Sequence, residues 1–153
     1  MKHLFLLDEN ILYLAVKGVD EHGQPDLTSS DLLERIGQNC HRVFFHAVLA
    51  DKYWGHLSQL KLEGSFLLDG VVRFIVQFMK NFDKQAWSYE ELPNLPEGVV
   101  VPREDLHVAR IALLTSATLV SCDKKLRDSI NNRPDLWKHA VTPQDALAIA
   151  ADT

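Results

Sequence analysis

The chain has 153 residues, a length that fits one domain with its own hydrophobic core. Its 46% hydrophobic and 24% charged residues exclude a disordered chain, and apolar runs as short as Leu4–Leu7 exclude a membrane span. A formal net charge of −5 argues against a general nucleic-acid binder, which carries a basic surface, but not against a nuclease whose acidic centre has a local basic rim.

Residues 2–7 read as a first strand, because a short apolar run ahead of helical periodicity fits a buried strand feeding a helix. Residues 9–17 follow as a short helix that Gly18 stops. Gly23-Gln24-Pro25 is a loop, after which Thr28 or Ser29 caps a helix running to about Gln38. Residues 41–45 form the second strand and 47–60 the next helix, with Gly64 breaking the pattern. Across 66–82, Leu67, Val71, Phe74, Phe78 and Phe82 recur at helical spacing, a stripe that reads as core or as a homodimer face. Pro93 and Pro96 mark 87–98 as a surface connection, and 99–101 reads as a short third strand. Residues 104–115 read as a helix that turns Leu106, Ala109, Ile111, Ala112 and Leu113 to the sheet. Residues 117–122 are the fourth strand, 124–130 a short helix and 140–141 the last strand. Thr142 caps a closing helix with Pro143 at its first position. This alternation predicts an α/β fold, a three-layer α/β/α sandwich around a central parallel sheet, with 1–153 as a single domain.

Three acids end apolar runs just ahead of helical patterns: Asp8, Asp105 and Asp123. Strand C-termini share one edge in a parallel sheet, and α/β proteins place their ligands there. Each Asp taken alone reads as a helix N-cap. The chain caps elsewhere with Thr or Ser, however, so Asp at all three edge positions favours a metal site. Oxygen-only ligands suit Mg²⁺ or Mn²⁺, and the chemistry such a cluster supports is metal-assisted phosphodiester hydrolysis.

The segment Leu6-Leu7-Asp8-Glu9-Asn10-Ile11-Leu12 resembles the opening Asp-x-Asn motif of PIN-domain nucleases. Residues 104–112, followed by Ala117-Thr118-Leu119-Val120-Ser121-Cys122-Asp123-Lys124-Lys125-Leu126, resemble that family's second half with its third and fourth acids. Residues 141–147 resemble the closing strand, turn and helix. The resemblance implies a metal-dependent endoribonuclease with about four acids. Asp8, Asp105 and Asp123 are then metal ligands, and Asn10 orients Asp8 or a water. The family's second acid is usually a Glu; here Asp51 matches its place, one methylene shorter. Ser121 stands where the family commonly has Thr and keeps the hydroxyl. The implied substrate is RNA and the implied partner is an antitoxin protein, if the chain is the toxin of a toxin–antitoxin pair rather than an RNA processor.

Around this core, Glu104 reads as a supporting carboxylate or a solvated neighbour, and Glu9 as a solvent-facing residue favoured by the helix dipole. Lys124, Lys125 and Arg127 read either as a solvated helix face or as a rim that grips phosphate. The seven histidines form no zinc motif, and His107 reads as structural. Cys40 and Cys122 form no Cys-x-x-Cys pair and are expected as reduced core thiols. With Lys2 and His3 alone ahead of the first apolar run, no secretory signal is expected, so the protein is placed in the cytoplasm. Two other functions compete: a catalytically degenerate PIN-like binding module, and a receiver-type phosphoacceptor domain. No glycine-rich strand-to-helix turn supports a dinucleotide site.

Overall fold

The computed structural model describes residues 2–63, 68–81 and 83–151. Among these residues, five strands build one sheet: β1 (Leu4–Leu7), β2 (Arg42–His46), β3 (Gln85–Ser88), β4 (Thr118–Val120) and β5 (Ala140–Val141). All pairings are parallel, in the order β3-β2-β1-β4-β5. Parallel neighbours require crossovers, and among the described residues seven helices supply them or follow the last strand. These are α1 (Glu9–Lys17), α2 (Thr28–Gln38), α3 (Ala47–Glu63), α4 (Leu68–Lys80), α5 (Leu106–Ala112), α6 (Lys124–Asn131) and α7 (Pro143–Ala151). The chain steps from β1 through β2 to β3, then returns past β1 to β4 and β5. Right-handed crossovers taken in opposite directions put α1–α4 on one face and α5 and α6 on the other. The last helix, α7, packs on α2. This is the expected three-layer sandwich. Among the described residues no helix is long and apolar enough to cross a membrane.

The core forms where strand residues meet the apolar stripes of the helices. Phe5, Leu6 and Leu7 of β1 and Val43 and Phe45 of β2 are buried with Ile11 and Leu12 of α1 and Leu32, Leu33 and Ile36 of α2. On the other face, Val108, Ala109 and Ile111 of α5 and Leu126 and Ile130 of α6 are buried. Trp137 is buried too, and its indole N–H donates to the Ala109 carbonyl at 3.0 Å. Phe78 of α4 is buried and Phe74 packs against the core, so this part of the aromatic stripe is core. Gly64, Phe66, Leu67 and Phe82 lie outside the described residues, as does the side chain of Val71.

The structure corrects several local readings. The third strand is Gln85–Ser88, inside or just before the stretch read as a connection, while 99–101 is irregular. Apolar Val99-Val100-Val101 resembles a strand, but Val100 is largely exposed and finds no sheet neighbour. The helix read across 104–115 is shorter: a 3₁₀ turn over Arg103–Asp105 leads into α5. Leu106 is partly exposed there, and Val108 takes the buried place. Neither Thr28 nor Ser29 caps α2; Asp26 accepts from the Thr28 N–H and hydroxyl in the turn before it. Both cysteines are free, but Cys40 is exposed and not a core thiol. Gly18 does end α1, in a left-handed conformation (φ 66°) with its N–H on the Leu14 carbonyl, a geometry that favours glycine.

Candidate metal centre

The sheet order reverses direction between β1 and β4, and crevices at such switch points hold the ligands of open α/β sheets. Asp8 follows β1 directly, and its N–H continues the ladder by donating to the Val120 carbonyl of β4 at 3.0 Å. Asp123 lies three residues past β4, and Asp105 is delivered by the 3₁₀ turn ahead of α5. All three acids therefore lie at one end of the sheet, although the strand expected before Asp105 is absent.

Only one of the three is a cap. Asp123 accepts from the N–H groups of Lys125 and Leu126 at the start of α6. Asp8 and Asp105 precede helices yet make no side-chain capping bond. Both are buried, Asp8 at 1% and Asp105 at 6% exposure. Each keeps one carboxylate oxygen without a hydrogen-bond partner, Oδ1 of Asp8 and Oδ2 of Asp105. Buried oxygens of this kind normally have a partner, and a carboxylate that lacks one carries a large desolvation cost. Glu104, Asp105 and Asp123 each bring a carboxylate oxygen within 4.8 Å of the others. An all-oxygen group that includes the unpartnered Asp105 Oδ2 fits a hard divalent cation, with Glu104 in it rather than Asp8.

The electrostatics follow from crowding. Burial raises the Asp105 carboxyl to about 7, helped by the proton it shares with Asp123 and by the charges of Asp8, Asp123 and Glu104. Burial also pulls Asp123 upward, but the Asp105 proton and the Leu126 and Lys125 N–H groups outweigh it and hold this carboxyl low. Burial likewise raises Asp8, while the hydrogen bond from Ser121 opposes the shift. A nearby cation would relieve all three together.

Ser121 organises the crevice. Its buried hydroxyl donates to Asp8 Oδ2 at 2.8 Å and accepts from the Asp123 N–H at 3.1 Å. One hydroxyl thus holds the acids of two neighbouring strands. Asn10, assigned the orienting role by resemblance, is exposed and makes no side-chain hydrogen bond among the described residues. Asp51 lies exposed on α3 and is not one of the three carboxylates that approach within 4.8 Å. Tyr53, two residues on, is buried and its hydroxyl donates to the Leu7 carbonyl beside Asp8.

Two features were not legible in the sequence. Glu9 is not solvent-facing: its oxygens lie 3.4 Å from His107 Nε2 of α5 and 3.8 Å from His56 Nε2 of α3. His107 holds the Glu9 carboxyl below its usual range, with help from Lys52 and His56. No spacing could have shown this, because the three residues meet from three helices. The basic residues after Asp123 also divide by role. Lys124 pairs with Asp128 at 2.9 Å, and Arg127 donates to the Ser121 carbonyl at 2.8 Å. Lys125 makes no side-chain hydrogen bond or ion pair among the described residues.

Neither a protein-family model nor a curated protein matches the sequence. Among solved structures, the chain is similar to one described as VapBC2 from Rickettsia felis bound to a DNA fragment from their promoter. That similarity has a TM-score of 0.48 and 14% identity, covering 91% of this chain and 98% of the other.

Proposed function

We propose that the chain is a divalent-metal-dependent endoribonuclease of the PIN type. One observation carries the reading: Asp8 and Asp105 are buried at the switch point, cap nothing, and each leaves a carboxylate oxygen without a partner. The order of the motifs around Asp8, Asp105 and Asp123 supports the family. In this reading Asp8, Asp105 and Asp123 hold Mg²⁺ or Mn²⁺, with Glu104 beside them. A cation so held supplies charge neutralisation at a phosphate and lowers the pKa of water next to it. Ser121 holds the Asp8 carboxylate and the Asp123 backbone in register. Asp105, raised to about 7 by burial and its acidic neighbours, gives up its proton to hold the cation. Asn10 orients Asp8 or a water, and Asp51 stands in the place of the family's second acid. The role of Lys124, Lys125 and Arg127 toward phosphate belongs to the same proposal. So do a cytoplasmic location, homodimerisation, and an antitoxin protein as the partner of a toxin.

The exposure of Asp51 favours a second reading, a PIN-like binding module without turnover. A receiver domain is disfavoured by the strand order, since that architecture runs 2-1-3-4-5. Cleavage of mixed single-stranded and structured RNA decides between the first two. Activity with Mg²⁺ or Mn²⁺, weaker with Ca²⁺ and lost in EDTA, is expected. Asp8→Ala and Asp123→Ala should abolish it, while Asp51→Ala leaves measurable activity. Undiminished cleavage in excess EDTA contradicts the proposal, and binding without cleavage supports the module.

A further inference from the structure

A groove of about 430 Å³ opens beside the acidic centre, lined by Val100, Val101, Pro102, Glu104, Lys125 and Ser129. Its size lies within the range of about 300–1,000 Å³ common to small-molecule sites. Glu104, a member of the carboxylate group, lines the groove, so the groove adjoins the centre. One wall is apolar, and Val100 is 82% exposed on it. The other wall is α6, which contributes Lys125. Lys124 and Arg127 are committed to Asp128 and to the Ser121 carbonyl, and Arg110 to the carbonyls of Leu92 and Pro93. Lys125 is the uncommitted one of these four cations. Its charge already reaches the centre, where it helps to keep Asp123 ionised.

Resting on the nuclease reading, we propose that this groove binds the nucleotide flanking the scissile phosphate of a single-stranded RNA. The neighbouring phosphate sits on Lys125, and the sugar or base lies against Val100 and Pro102. The charge fits. A chain of net charge −5 must offset its own repulsion of a polyanion locally, and an unpaired ammonium beside an apolar wall does so where the backbone leaves the metal centre. Stacking and apolar contact with an unpaired base suit a single strand, whereas a duplex hides its bases.

The test is the binding of a fluorescein-labelled oligouridylate in Ca²⁺, followed by anisotropy across a salt series. Removing one cation that neutralises a phosphate lowers the slope of log affinity against log salt by about 0.7 for a single strand. Lys125→Ala should lower the slope by that amount and weaken binding several-fold, and Lys125→Arg should restore both. Val100→Asp, an exposed change that sets a carboxylate across the groove, should weaken binding too. Lys138→Ala, on an exposed residue outside the groove, should leave the slope unchanged. Cleavage of the same oligonucleotide in Mg²⁺ is measured alongside. Cleavage by the wild type with an unaltered Lys125→Ala slope overturns the groove and leaves the nuclease reading standing. A lowered slope without wild-type cleavage upholds the groove as an RNA site and sinks the nuclease reading. Equal slope reductions in Lys125→Ala and Lys138→Ala, or no binding at all, overturn the proposal.

Discussion

Ser121 shows how little chemistry is needed to couple two strands at an acidic centre. Its hydroxyl serves Asp8 as donor and the Asp123 backbone as acceptor, both inside the crevice. Ser121→Ala leaves Asp8 Oδ2 short of a partner and should cost about 1–3 kcal/mol of stability. Metal-dependent activity should fall with it, while Ser121→Thr keeps the hydroxyl and retains most of both. Urea titration and RNA cleavage on the two variants check this, and equal behaviour of Ala and Thr contradicts the bridging role. His41 offers a second residue-scale test. Its ring is buried, Nδ1 accepts from the His3 N–H at 3.1 Å, and Nε2–H donates to the Ala150 carbonyl at 2.8 Å. Only the neutral ring satisfies both bonds, and burial holds its pKa below the ordinary value. The unfolded chain therefore takes the proton first. The contribution of His41 is complete above about pH 6.5 and is lost as pH falls through that value toward the lower folded one. Urea unfolding of wild type and His41→Gln should differ most at neutral pH and converge on acidification. A difference that grows toward acid pH contradicts the assignment.

At the scale of elements, the path from β3 to α5 carries the most consequence, because it delivers Asp105. That path has no strand of its own; Arg110 of α5 secures it with hydrogen bonds to the Leu92 and Pro93 carbonyls, each 2.8 Å. Arg110→Ala should cost about 2 kcal/mol, the scale of hydrogen bonds to a charged group. It should also speed proteolysis within residues 89–102, since the acceptors lose their anchor. An unchanged cleavage map refutes that role. The same region shows where sequence reading fails. Val99-Val100-Val101 has strong β-propensity, but pairing is decided by the partner, and β2 is taken by Gln85–Ser88. Gln85-Ala86-Trp87-Ser88 has a weak apolar signal, yet Trp87 stacks on Phe45 across the ladder at 5.1 Å. Elements whose signal is local were legible to within a few residues: α1 with its glycine stop, α2, and the strands around Asp8 and Asp123. Asp8 and Asp123 were legible because each sits next to a change of periodicity, whereas the apolar run that pointed to Asp105 forms no strand. The Glu9–His107 contact was not, since it depends on how three helices pack.

At the scale of the molecule, the order β3-β2-β1-β4-β5 makes the crevice before any side chain is considered. Carboxylates placed there without a cation work against folding. Asp105, raised to about 7, is the clearest case. An acid whose folded pKa lies above its unfolded value subtracts stability as pH rises past the unfolded value, up to the folded one. Asp105→Asn removes that loss without removing a cap, because the side chain makes no capping bond. The central claim, that Asp105 joins Asp8 and Asp123 in holding a divalent cation, is tested most directly by thermal melts of wild type and Asp105→Asn at pH 8, each in EDTA and in Mg²⁺. In EDTA the variant should melt no lower than the wild type. At a hundredfold excess of Mg²⁺ over its Kd, the wild type should gain about 2.7 kcal/mol, several degrees for a domain of this size, and the variant much less. An Asn variant stabilised by Mg²⁺ as strongly as the wild type would contradict the account.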